Sequence, residues 1–151
     1  MTNVSIVGPD GGEVIGLGPA RIRIIEDGSA TAHRLGIAEI TLAARSDGPP
    51  QHRHAKHDEG FYVVSGTARF TVGDVVHDAA AGTLVMVPPG VPHTFANPGG
   101  QPVVMINTFS PDLYVQYFRD LRDALAGGTA PQAAAAAVMS RYATTVAADF
   151  A

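Results

Sequence analysis

The sequence predicts an all-β barrel or sandwich followed by two α-helices. Two observations carry that expectation. Between residues 20 and 109, short apolar runs follow one another at close spacing, broken by Gly, Pro, Asn and Asp. That is the pattern of many short strands joined by turns. From Ser110 onward it gives way to apolar residues four apart and then to a run of alanines, which is helical periodicity.

Residues 1–19, rich in Gly and Pro, read as an irregular arm with one short strand over 13–15. The barrel follows over 20–109, with strands expected at 20–25, 35–42, 60–64, 67–72, 75–78, 84–87, 93–96 and 103–109. Ser65-Gly66 and Gly73-Asp74 fall between such runs and suit tight hairpins that need positive φ. Within 67–72, Ala68, Phe70 and Val72 can face a core while Arg69 and Thr71 face water, since side chains alternate along a strand. The last segment, 110–151, is a helical extension. Ser110-Pro111-Asp112 reads as an N-cap followed by Pro in the first turn. Leu113, Tyr117, Leu121 and Leu125 then mark one apolar stripe, and Gly127-Gly128 ends the helix. A second helix is expected from 129–131 through the alanines at 133–137 toward Ala148. Both helices should pack outside the barrel or cover one end of it.

At 151 residues the chain has the size of one domain. No uninterrupted apolar run is long enough to span a membrane. No basic stretch followed by an apolar one opens the sequence, so the expected location is the cytoplasm. The net charge of −4 and scattered Lys and Arg argue against nucleic acid as a partner; Arg21 and Arg23 read as a solvated strand face. The absence of cysteine means that any metal must be held through nitrogen and oxygen.

The chemistry-bearing segment runs from Gln51 to Glu59. His52 and His54 are two apart, so on a strand they point to the same side. Glu59 follows, and His93 comes after the rigid turn Pro88-Pro89-Gly90-Val91-Pro92, whose prolines reduce the entropy lost on ordering the site. Three neutral imidazoles and one carboxylate suit a first-row divalent metal and leave two positions of an octahedral shell open. An isolated H-x-H is a weak signal, because histidine serves many roles. His57, between His54 and Glu59, is the competing ligand; its expected place is the barrel mouth, exposed or bonded to Asp58. His33 and His77 are expected on surface strands, and Asn97 as a turn-former.

The spacings sharpen this reading. His52, His54, Glu59 and Gly66 satisfy H-x-H-x4-E-x6-G, and Gly82, Pro88, Gly90, His93 and Asn97 satisfy G-x5-P-x-G-x2-H-x3-N. Over residues 48–97 the chain therefore resembles the cupin superfamily. One departure is Gly48, which lies nearer to the first histidine than the family pattern places its glycine. The resemblance implies a double-stranded β-helix, or jelly-roll barrel, with His52, His54, Glu59 and His93 as metal ligands. Phe61-Tyr62-Val63-Val64, Ser110-Pro111, Tyr117-Phe118 and Arg141-Tyr142 are similar to small quercetin-dioxygenase-like cupins. That second likeness implies a metal-dependent dioxygenase, an oxidoreductase acting on a small aromatic or enolisable substrate with O2 as cosubstrate. In it Glu59 would be both ligand and catalytic base, and the chain would pair as a homodimer through its N-terminal strands. The metal could be Mn, Fe, Co, Ni, Cu or Zn. The same site also suits a non-oxidative metal cupin, an isomerase or cyclase, or a module that binds a small ligand without catalysis.

Overall fold

Alternation between core and solvent determines most of the strands. In β3 (Gly36–Leu42) every second residue is buried, and in β11 (Val103–Ser110) Val103, Met105, Asn107 and Phe109 point inward. The computed structural model describes residues 4–150; residues 1–3 of the arm and residue 151 of the extension lie outside the described residues. The remaining strands are β1 (Glu13–Leu17), β2 (Ala20–Glu26), β4 (Ser46–Asp47), β5 (His52–His54), β6 (Asp58–Ser65), β7 (Thr67–Val72), β8 (Val75–Ala80), β9 (Leu84–Val87), β10 (His93–Asn97) and β12 (Thr144–Val146). One sheet has the order β1-β2-β3-β11-β6-β9 and the other β12-β5-β10-β7-β8, with β4 added beside β10. All pairings are antiparallel. This is an all-β jelly-roll barrel.

The hairpins form where they are expected. Gly66 joins β6 to β7 with φ of 78°, and a Cβ there would meet the Pro102 carbonyl oxygen at 2.6 Å, so both its conformation and its surroundings require glycine. Inside the barrel Ile22, Ile24, Ile40, Phe61, Phe70 and Met105 pack into one core. Phe61 stacks obliquely on Phe70 and Phe95, with centroids 5.1 and 5.6 Å away, and stands edge-on to the His93 ring at 6.3 Å. The aromatic core thus buttresses one of the expected ligands.

The helical segment departs from expectation in three ways. Ser110 is not a cap: it ends β11, paired with Asp58, because its backbone is committed to the sheet ladder. A short 3-10 turn over Asp112–Tyr114 follows, and α1 (Val115–Ala126) begins without a side-chain cap. The inward face of α1 is Val115, Tyr117, Phe118 and Leu121, broader than a strict four-residue stripe, since 3.6 residues per turn brings both i+3 and i+4 onto one face. Ion pairs from Arg119 and Arg122 to Glu13 tie α1 to β1. The second helix, α2 (Pro131–Met139), stops well short of Ala148. A 3-10 turn over Ser140–Tyr142 and the left-handed Ala143 redirect the chain into β12, which pairs with β5. The alanine run itself is helical within α2; beyond it, Thr144–Val146 is captured as a strand by the open edge of β5. Among the described residues no helix is long and apolar enough to cross a membrane.

Candidate metal centre

Strand geometry brings the four expected donors together. In β5 His52 and His54 are buried and Arg53 faces out, paired with Asp149. His93 opens β10 directly opposite His52, and Glu59 enters from β6 in the other sheet. The donor atoms of His52, His54, Glu59 and His93 all lie within 4.8 Å of one another, and none of the four residues is more than 3 % exposed.

The outer ring nitrogens decide which inner ones are free. His52 Nδ1 lies 2.7 Å from the Pro50 carbonyl and His93 Nδ1 2.9 Å from the Val91 carbonyl. A carbonyl only accepts, so both Nδ1 atoms carry a proton, and in the neutral ring each Nε2 presents its lone pair inward. His54 Nδ1 is 2.8 Å from Thr144 Oγ1. His54 Nε2 and His93 Nε2 are buried and have no hydrogen-bond partner, although they lie 3.0 and 3.4 Å from the Glu59 carboxylate oxygens. In the neutral rings, lone pairs facing a carboxylate across such distances repel unless a cation, a proton or a metal ion, stands among them, and the donor set fits a metal ion. With nitrogen and oxygen donors only, the set suits a divalent transition metal.

Electrostatics puts most of the ring in its ligating state. Burial, with the neighbouring His93, pushes His52 down to about 3, and burial also lowers His54. Burial alone would raise the Glu59 carboxyl, but the imidazoles of His54, His57 and His93 together hold it well below the ordinary carboxylate range. Burial opposes charge on His93 too, yet Glu59 prevails and raises it. The metal-free ring therefore keeps its proton most readily on His93.

Two members of the ring, His52 and Glu59, line a cavity of about 910 Å³, a size typical of small-molecule sites. Ile22, Ile40, Tyr114, Tyr117, Phe118 and Leu121 form apolar walls, and the lining includes Asn107, whose amide donates to the Gly60 carbonyl. Tyr114 stacks on Tyr117 at 4.3 Å and meets the His54 ring edge-on at 4.5 Å. Its hydroxyl is buried without a partner, and burial, with Tyr117 and Glu59 nearby, raises its pKa well above the usual value. The cationic side chains in the lining, Arg45 and Arg69, belong to the exposed rim, where Arg69 is held by Asp78 through two hydrogen bonds.

Other sequence expectations resolve unevenly. His57 is not at the mouth: it is 1 % exposed, lies 4.2 Å from the His54 ring, and is 3.9 Å from Glu59 at its nearest nitrogen. The turn between β5 and β6 folds it inward beside Phe109 and Tyr114, outside the four-donor cluster. His33 is exposed but sits in a turn, bonded to Asp112, and His77 is exposed on β8. Arg23 is not a freely solvated partner of Arg21; it is part-buried against Glu39 and the Gly11 carbonyl. Asn97 is a turn-former, donating to the carbonyls of Leu42, Ala43 and Gln101. Sequence reasoning missed Tyr114, Asn107 and Thr144. Asn107 had a visible signal, a lone amide at an inward position of an apolar strand.

Comparison with known proteins agrees with this geometry. The Cupin domain family model matches residues 38–109, while a sequence search of curated proteins finds no match. Among solved structures the chain is similar to KdgF from Halomonas sp. (19% identity, TM-score 0.62, covering 72% of this chain and 94% of that one). It is also similar to an RmlC-like cupin from Shewanella frigidimarina (24%, 0.59, 74% and 95%). A third is the polyketide cyclase RemF from Streptomyces resistomycificus (19%, 0.62, 72% and 80%). These structural likenesses concern the fold. Barrel order, motif spacing and family match converge, and residues 38–109 of the chain form a cupin domain.

Proposed function

We propose that this cupin is a mononuclear metal-dependent enzyme that oxidises a small aromatic or enolisable substrate with O2, in the manner of a dioxygenase. His52, His54, Glu59 and His93 are its metal ligands. The observation that carries the proposal is the convergence of four buried nitrogen and oxygen donors, two of which, His52 and Glu59, line an aromatic-walled cavity. A divalent metal held there supplies Lewis acidity and lowers the pKa of a hydroxyl bound to it. The remaining steps belong to the chain. Glu59 stays anionic and can ligate through one oxygen while the other accepts the substrate proton. Tyr114 keeps its proton and can donate a hydrogen bond to a substrate oxygen. Tyr114, Tyr117 and Phe118 offer flat apolar surface to a ring and exclude water. A phosphorylated substrate would find no buried cation among the lining residues, since Arg45 and Arg69 are at the rim.

One observation favours a second reaction on the same substrate class. A protonated phenol and an anionic carboxylate on one cavity form an acid–base pair, which suits isomerisation or cyclisation without O2. The solved relatives include a polyketide cyclase and a nucleoside dehydratase, in keeping with that reading. The proposal places a homodimer in the cytoplasm, acting on a small molecule; the acidic charge and the lack of a basic stripe in the sequence support the absence of a nucleic-acid partner.

Turnover on a panel of flavonols and β-dicarbonyls, with O2 uptake followed alongside product analysis, separates the two reactions. Glu59→Gln is expected to retain some metal yet lose on the order of 10²–10⁴ in rate. A Glu59→Gln protein with full metal content and full turnover removes Glu59 from the chemistry.

A further inference from the structure

Each ligand histidine needs an outer partner to keep its proton on Nδ1. His52 and His93 use main-chain carbonyls, which no side-chain substitution removes. His54 relies on a side chain, and that side chain comes from β12. Thr144 is the register partner of His54 across the β12–β5 pair and is 1 % exposed. A hydroxyl can donate or accept, so contact with His54 does not by itself specify the tautomer. The second bond of Thr144 does: its Oγ1 donates to the Tyr142 carbonyl at 3.0 Å. With that proton spent, the lone pairs of Oγ1 face His54 Nδ1 at 2.8 Å. Nδ1 must then be the donor, and Nε2 is left free toward the donor cluster.

We infer that Thr144 is a positioning residue for the metal site, fixing the tautomer and orientation of His54 through a relay from His54 to Thr144 to the Tyr142 carbonyl. The inference rests on the metal reading of the site. The surrounding segment is built to hold this register. Ala55 N donates to Ala143 O and Ala147 N to Gln51 O, both at 2.8 Å, so β12 is bonded at both ends to the segment that carries His52 and His54. Arg53 and Asp149 pair across the outer face. Removing the hydroxyl leaves a buried Nδ1–H without an acceptor. The imidazole then gains by moving its proton to Nε2, the position a metal must occupy.

The test compares Thr144→Val with Thr144→Ser by competitive titration of zinc against a chromophoric chelator, with thermal unfolding of each metal-free protein as a check on folding. Valine keeps the shape and β-branching but lacks the hydroxyl; serine keeps the hydroxyl but loses the methyl. A relay predicts affinity about 10–100-fold weaker for Thr144→Val, the usual effect of losing such a partner, and near wild type for Thr144→Ser. A packing role predicts the reverse order. Thr144→Val binding zinc as tightly as wild type overturns the inference alone. So does Thr144→Ser binding zinc about tenfold or more weakly than wild type, and this arm decides the matter should Thr144→Val fail to fold. Wild-type protein that takes up no zinc overturns the metal reading and the inference with it.

Discussion

Replacing Gly48 with alanine probes how firmly the loop before β5 sets the metal ring. A Cβ at this position would sit 2.2 Å from the Phe95 carbonyl oxygen and 3.0 Å from the Phe95 ring. The backbone of Gly48 is not in the left-handed region, so the obstacle is space and not conformation. The Phe95 carbonyl belongs to β10, which is paired with β7 on one side and β4 on the other, so the loop must move and not the strand. The contact has to open by about 1 Å, an overpacking that typically costs about 1–3 kcal/mol. The same shift stretches the 3.0 Å bond from Gly48 N to Phe95 O, worth about 1 kcal/mol more. Against this, alanine restricts the unfolded chain and returns about 0.4–1 kcal/mol. Steric cost wins, and a net loss of about 1–3 kcal/mol is expected. Two residues on, the Pro50 carbonyl holds His52 Nδ1 at 2.7 Å, so metal affinity should also fall by about tenfold. Urea unfolding of metal-free protein and a competitive zinc titration measure the two effects. A Gly48→Ala protein within about 0.5 kcal/mol of wild type, the range of an innocuous surface change, and with unchanged zinc affinity refutes the reasoning.

Two further outcomes are expected. His93→Ala should lower metal content far more than His33→Ala or His77→Ala, because only His93 is a member of the buried cluster; equal content by elemental analysis in all three variants defeats the ligand assignment. Metal affinity should fall with pH. His93 is the ring most ready to hold a proton, its pKa raised above 6.5 by Glu59, so metal must displace that proton below the raised value and need not above it. Affinity then drops by about tenfold per pH unit on the acid side. His52, pushed down to about 3, adds no competition until far stronger acid. Titrations with equal affinity at pH 5 and pH 8 contradict imidazole ligation.

The legible and illegible parts of this molecule differ for physical reasons. His52, His54, Glu59 and His93 could be read from sequence because strand alternation and turn length translate directly into spacing, and spacing is what a sequence records. His57 could not. The turn between β5 and β6 breaks the two-residue parity, and nothing in Ala55-Lys56 says that the next side chain folds inward to 1 % exposure. β12 was hidden for a different reason. Thr144–Val146 is too short to alternate, follows a helix rich in alanine, and becomes a strand by pairing with the open edge of β5. Tyr114 reaches the cavity from a 3-10 turn on the helical side, so no periodicity within the barrel announces it. Strand content and the four-donor cluster followed from local pattern; the cavity wall and the outer support of the ring came from long-range contacts.

The pairing of β12 with β5 also sets an order of events during synthesis. Thr144 lies 90 residues downstream of His54. At about 5–20 residues per second, a nascent chain waits roughly 5–18 seconds between making the histidine and making its brace. All four donors exist by residue 93, so for most of that interval the ring is chemically complete yet unbraced on one side. Metal that arrives early meets a looser ring than metal that arrives after β12 has docked. For this fold the timing of metal delivery relative to translation is therefore a variable in its own right, and protein made in metal-poor medium and loaded afterwards is the reference against which co-translational loading should be judged.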